Sequence, residues 1–203
     1  MNEEKEKILN FSSQKFMKGG FFKTTMDEIA ADMRISKKTI YKNFSSKEEL
    51  VREVALKILN TNAKLIDDVI KIKCNPVEKL FRIFNTVGKI IMKVNEDNVR
   101  DIYHYTPETW KEIDEFRTKK MSHFLKDIIE QGQKEGYFLR KRPEIIITMF
   151  LSSVRAIVNP TFVINNRFTL IEALEETTEI LSNGIMTEKG KKILRKLKNG
   201  ANK

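Results

Sequence analysis

Cysteine occurs once, at Cys74, so no intrachain disulfide can form, and this usage suits a reducing compartment. Proline occurs 4 times and glycine 8 times in 203 residues. Strand-rich folds need many tight turns, so this scarcity favours long helices. No uncharged apolar run reaches the roughly 20 residues that a membrane span needs. Residues 145–158 come closest, but Ser152, Ser153 and Arg155 interrupt them. No apolar N-terminal run precedes a small-residue cleavage site, so the chain is expected to be cytoplasmic, with no membrane partner. Catalytic signatures are missing too. No Ser-His-Asp or Cys-His arrangement, glycine-rich phosphate loop or carboxylate–histidine metal set stands out. His104 and His123 are too few, and too far apart, to form a metal site with Cys74. Neither a metal nor a cofactor is expected, and the chain does not read as an enzyme.

What is present is charge, and its placement matters. The net charge is +10. Residues 1–60 carry 12 basic and 9 acidic side chains, residues 61–188 carry 19 of each, and residues 189–203 carry 7 basic and no acidic ones. A polyanionic partner would therefore meet the two ends. Hydrophobic residues make up 40%, enough to bury a core and too many for a disordered chain.

Helix signals recur along the chain. Residues 4–18 place Ile8, Leu9, Ser12 and Phe16 on one face, and Gly19-Gly20 end that helix. Thr25-Met-Asp-Glu28 is a capping box for a helix that buries Ile29, Ala30 and Met33. Arg34-Ile35 form a turn, and Ser36 caps a short helix running to Phe44. Ser46-Lys-Glu-Glu49 is a second capping box, opening a long helix to about Ile72. Asn75-Pro76, Thr106-Pro107 and Arg142-Pro143 start three more, with proline at the first helical position. Thr169-Leu-Ile-Glu172 is another capping box, and Thr187 starts a basic tail helix. Gly132, Gly136 and Gly184 fall near helix ends. No strand alternation appears. The fold expected is all-α, with two short helices after a supporting one, spaced as a helix-turn-helix.

The second short helix contains "KKTIYKNF". At ~100° per residue, Ile40 and Phe44 share the inner face. Lys38, Thr39 and Lys42 lie opposite, and Tyr41 flanks them. Lys37 sits at the helix tip and can still reach outward. A helix so placed fits the DNA major groove, where lysine meets guanine acceptors or phosphates and threonine meets a base edge or methyl. Tyr41 can give its hydroxyl to a phosphate. Thr25 and Lys47 stand at helix starts, where backbone amides also favour phosphate. A basic helix that is merely solvated remains compatible with this spacing alone.

The stretch "GGFFKTTMDEIAADMRISKKTIYKNFSSKEEL" resembles the DNA-binding domain of TetR/AcrR-family bacterial transcription regulators. Gly20, Phe21, Thr25, Ile29, Ala30, Ser36, Ile40, Tyr41, Phe44, Lys47 and Leu50 carry the match, which covers about residues 5–55. Arg34 stands where the family often has glycine, and is either strained or a further phosphate contact. Ser12 replaces a more usual alanine. The resemblance implies an N-terminal three-helix DNA-binding domain, and a C-terminal helical domain that binds a ligand and dimerises. The division is expected within the long helix, with residues 1–47 as the first domain and residues 48–203 as the second. The DNA-binding set is then Thr25, Arg34, Lys37, Lys38, Thr39, Tyr41, Lys42 and Lys47.

The C-terminal part is rich in aromatics, which suit either a core or an apolar pocket with a few polar handles. Phe84, Met92, Tyr103, Trp110, Phe116 and Phe124 are candidates to hold a small, largely apolar or aromatic effector. In the family, the short helix equivalent to residues 97–106 couples ligand to the DNA-binding unit. Helices over 144–158 and 170–183 are candidate homodimer elements, as in the family. Met149, Ser152, Ser153 and Ala156 would come from the first, and Leu174, Thr178 and Leu181 from the second. A dimer presents two recognition helices about 34 Å apart to the half-sites of a palindromic double-stranded operator. The tail reads as a basic helix with Ile193, Leu194 and Leu197 packed down, although an extra DNA or membrane-surface contact also fits. Taken together, these features predict a ligand-responsive repressor. A sequence-independent architectural DNA binder is the alternative, with an all-α enzyme further behind.

Overall fold

The computed structural model describes residues 3–94 and 96–201, and its ordered elements are helices. These are α1 (Glu3–Gly19), α2 (Met26–Asp32), α3 (Lys37–Asn43), α4 (Lys47–Lys71), α5 (Pro76–Met92), α6 (Glu96–Tyr105), α7 (Pro107–Lys134), α8 (Pro143–Ile157), α9 (Pro160–Asn166), α10 (Leu170–Ile185) and α11 (Glu188–Ala201). Among the described residues extended backbone pairs at one isolated antiparallel bridge, Phe138 with Met186. Among the described residues no single helix is long and apolar enough to cross a membrane.

The chain divides into two compact units, and not at residue 47. The first holds residues 1–61 and 94–113, and the second holds residues 62–93 and 114–203. The physical reason is that the first half of α4, together with α6, belongs to the first core. Leu50, Val51 and Val54 from α4 are buried there, and Ile102 from α6 packs against the same cluster.

In the first unit the core gathers Ile8, Leu9 and Phe16 from α1, Met26, Ile29 and Ala30 from α2, and Ile40 and Phe44 from α3 and its end. Ser12 is also fully buried, and its hydroxyl has no hydrogen-bond partner among the described residues. Gly20 ends α1 at φ +79°, where its N–H donates to the Phe16 carbonyl at 2.9 Å. Glycine adopts that left-handed conformation without steric cost. Arg52 forms a bidentate pair with Glu112, at 2.6 and 2.7 Å, joining α4 to α7.

The second unit is built on Val77, Leu80 and Ile83 of α5, Leu125, Ile128 and Ile129 of α7, and Ile146 and Phe150 of α8. Phe138 and Met186 close it, tied by the Leu139 N–H to the Ile185 carbonyl at 2.8 Å. Gly132 lies in the last turn of α7. A Cβ there would fall 2.2 Å from the Phe138 ring, so the close approach explains the residue. The tail helix packs Leu194 down, with Ile193 and Leu197 beside it, onto the same cluster.

Most cap signals hold. Thr25 and Glu28, and Thr169 and Glu172, form complete capping boxes. Ser36 and Asn75 accept from the third backbone amide of their helices. Ser46 accepts from the Glu49 N–H, but the Glu49 carboxylate turns to the N–H and hydroxyl of Ser45, so that box is incomplete. The Thr106 hydroxyl donates backward to the Ile102 carbonyl. Helix α9, capped by Asn159 with proline at its start, is not among the helices expected from the sequence.

Candidate nucleic-acid interface

The geometry of the α2–α3 pair follows from one unusual backbone position. Arg34 sits at φ +55°, a left-handed conformation that costs a non-glycine residue roughly 1–2 kcal/mol. It reverses the chain sharply: the Arg34 N–H donates to the Ala31 carbonyl and the Ile35 N–H to the Ala30 carbonyl, both at 3.0 Å. Ser36 then caps α3, its hydroxyl accepting from the Thr39 N–H at 3.0 Å. Ile40 and Phe44 are fully buried and fix the roll of α3. Truncating a buried Phe such as this typically costs 3–5 kcal/mol.

That roll leaves Lys38, Tyr41 and Lys42 exposed on one side, with Tyr41 48% accessible. The helix carries no acidic residue. Other expected members of the set already have partners. Thr39 is half-buried, and its hydroxyl lies 2.8 Å from that of Ser36. The Thr25 hydroxyl accepts from the Glu28 N–H, and Thr25 is exposed. The Lys37 ammonium donates to Asp27 at 2.5 Å, and this contact raises its pKa above the ordinary lysine value. Lys47 is half-buried and donates to the Phe22 carbonyl at 2.8 Å, with the Phe21 and Phe22 rings about it at 6.0 and 5.8 Å. Burial lowers its pKa, against the opposing pull of Glu48, Glu28 and Asp101. Arg34 is exposed.

Sequence reasoning missed the residues that brace the turn after α1. Asn98 of α6 donates to the Phe16 carbonyl at 2.9 Å and accepts from the Phe21 N–H at 3.0 Å. Phe22, 54% exposed, stacks on Tyr105 with ring centroids 4.4 Å apart. No local pattern signals a bond between residues 77 apart.

The six effector candidates divide between the two units. In the first, Tyr103 and Trp110 meet edge to face at 5.3 Å. In the second, Phe84 stacks on Phe150 at 5.7 Å, Phe116 and Phe124 are half-buried, and Met92 is 65% exposed. None of the six lines the open cleft of about 1160 Å³ found in the second unit. Its walls are the end of α7, residues 139–142, α8 and α10, and they include Ile145, Met149, Ile180 and Leu181. Of the dimer candidates, Met149, Ser152 and Ala156 are exposed, while Ser153 and Leu181 are half-buried. Leu174 and Thr178 are buried within the unit, and the Thr178 hydroxyl donates to the Leu174 carbonyl. The outward face of α10 instead carries Ile180 and Gly184.

Residues 8–54 match the profile described as bacterial regulatory proteins, tetR family. The chain is 23% identical to the HTH-type transcriptional regulator YvaF of Bacillus subtilis over 168 residues, 82% of this chain and 88% of that one. It is 25% identical to the HTH-type transcriptional repressor KstR2 of Mycobacterium tuberculosis over 162 residues, 76% of this chain and 78% of that one. A transcriptional regulator from Cytophaga hutchinsonii superposes with a TM-score of 0.72 at 20% identity, covering 90% of this chain and 98% of the other. The helix-turn-helix geometry and the matched profile agree: residues 8–54 form a DNA-binding domain of the tetR-family type, and the chain as a whole is similar in sequence to bacterial transcriptional regulators.

Proposed function

We propose that the protein is a repressor that binds a palindromic operator as a homodimer and leaves it when a small, largely apolar effector binds the second unit. The observation that carries this reading is the face of α3, with Lys38, Tyr41 and Lys42 outward over buried Ile40 and Phe44. Lysines there would meet guanine edges or phosphates, and Tyr41 would donate to a phosphate. Thr25, Arg34, Thr39, Lys37 and Lys47 complete the proposed set, the last two by exchanging Asp27 and the Phe22 carbonyl for phosphate. Support for repression comes from KstR2, which is named a repressor.

An apolar cleft open on α8 and α10 supports dimerisation through that face, with Met149, Ser152, Ala156 and Leu181 joined by Ile145 and Ile180. The effector acts only by its unequal affinity for two conformations, one with half-site spacing and one without.

Selection of binding sites from random duplexes, followed by titration of the selected site, tests the reading. The expected result is a palindrome bound at nanomolar strength and weakened by Tyr41→Phe and by Lys42→Ala. Failure to enrich any sequence would instead favour an architectural DNA binder.

A further inference from the structure

Helices α8 and α10 of the second unit pack antiparallel. The first half of α8 and the last turns of α10 wall the cleft together, while at the far end Ile157 and Val158 pack with Leu170 and Ala173. Their outer surface is one strip with two different ends. Ile145, Met149, Ser152 and Ala156 of α8 are exposed along it at helical spacing, and so are Glu176, Ile180 and Gly184 of α10.

The two ends carry opposite charge. Beside the cleft, the segment before α8 holds Arg140, Lys141 and Arg142, all exposed and in no ion pair among the described residues. Its backbone is pinned. The Gln133 side-chain amide donates to the Leu139 and Lys141 carbonyls at 2.9 and 2.6 Å, and the Leu139 N–H donates to the Ile185 carbonyl at 2.8 Å. The acids nearby are Glu130, 4.0 Å from Lys126, and the exposed Glu144. At the other end, the first turns of α10 present Glu172, Glu175 and Glu176. Glu172 completes the Thr169 capping box, whereas Glu175 and Glu176 are exposed and in no ion pair among the described residues. Glu179 beyond them pairs with Lys198 at 2.7 Å. The cations at that end are Arg155, held by Asp114 at 2.7 Å, and the exposed Arg167 after α9.

We propose that the occupant of this face is a second copy of the chain turned end for end, selected and set in register by Arg140, Lys141 and Arg142 meeting Glu175 and Glu176 of the partner subunit. This rests on the homodimer reading above and adds to it what chooses the partner. A twofold interface sets each patch against its own rotated image. Glu176 and Gly184 lie equally far from Ile180 along α10, about 6 Å at the rise of a helix. An axis near Met149 and Ile180 therefore brings Glu176 of one copy level with Gly184 of the other, next to the pinned basic segment. The same pairing recurs on the other side of the axis. An apolar cleft alone would accept many helices, but a partner without acids at the matching end leaves the arginines desolvated and unpaired.

The test is sedimentation equilibrium of the full chain without DNA. It compares the parent, Arg140→Glu with Arg142→Glu, Glu175→Lys with Glu176→Lys, and an equimolar mixture of these two variants. Each variant alone sets like charges opposite at both contacts and should dimerise about tenfold or more weakly than the parent. The mixture sets opposite charges at both and should recover dimer near parental strength, a gain that misfolding cannot mimic. One chain carrying all four substitutions should likewise recover its own dimer. Variants that each dimerise as tightly as the parent, or a mixture no stronger than its components, overturn the proposal. A parent that sediments as a monomer overturns the homodimer reading with it and leaves the cleft to another occupant. A parental dimer indifferent to these charges keeps that reading and removes only the role of the charged ends.

Discussion

Ser12 lies on the buried line of α1, with its hydroxyl enclosed and without a partner among the described residues. A buried hydroxyl that lost its water and gained no hydrogen bond costs on the order of 1–3 kcal/mol. Ser12→Ala is therefore expected to raise stability by about 1 kcal/mol. Urea titration checks it, and a destabilised alanine variant would show that the hydroxyl is bonded in solution. Arg34 offers a second case. At φ +55°, glycine would remove the steric cost, and the greater freedom of the unfolded glycine chain would offset part of that gain. Arg34→Gly should thus be as stable as the parent or up to ~1 kcal/mol more so, while binding operator DNA more weakly. Thermal unfolding and DNA titration on the same preparation separate the two effects. A less stable variant would mean that the arginine side chain makes contacts that outweigh the strain.

At the scale of elements, Asn98 fastens α6 to the turn after α1 by hydrogen bonds. Asn98→Leu would strand the Phe21 N–H, while the Phe16 carbonyl would keep the Gly20 N–H. The expected cost is about 1–3 kcal/mol, with faster hydrogen exchange at the Phe21 amide. Unchanged protection there would show that the amide finds another acceptor. This contact also marks the limit of what could be seen in the sequence. Capping is local, so Thr25–Glu28, Ser36, Asn75 and Thr169–Glu172 were legible from neighbours three residues apart. The inner face of α3 was legible because only two large apolar side chains, Ile40 and Phe44, recur there at helical spacing. The signature Asn159-Pro160 repeats that of Asn75-Pro76, but the helix it opens is only seven residues long, too few for a periodic stripe. On α10 the i, i+4, i+7 stripe was real, but it marked the core face. Periodicity identifies an apolar side without saying whether the covering partner is the same chain or another.

For the whole molecule, the proposed dimer face carries its own prediction. Ile180 is 70% exposed and makes little contribution to its own unit. Ile180→Glu should leave the unfolding midpoint of the protomer nearly unchanged and shift its mass in light scattering from dimer toward monomer. A persistent dimer would place the interface elsewhere. Meanwhile, the internal contacts of Lys37 and Lys47 bear on how the protein responds to its ionic surroundings. Duplex DNA carries a condensed layer of small cations, and about 0.9 of one is released for each phosphate that a protein neutralises. A lysine that stays on Asp27, or on the Phe22 carbonyl, releases none. The fewer lysines that transfer to phosphate, the flatter the fall of operator affinity as the medium grows more concentrated. Each of the two that exchanges its internal contact for phosphate, as proposed above, steepens that fall by about 0.9 of a released cation.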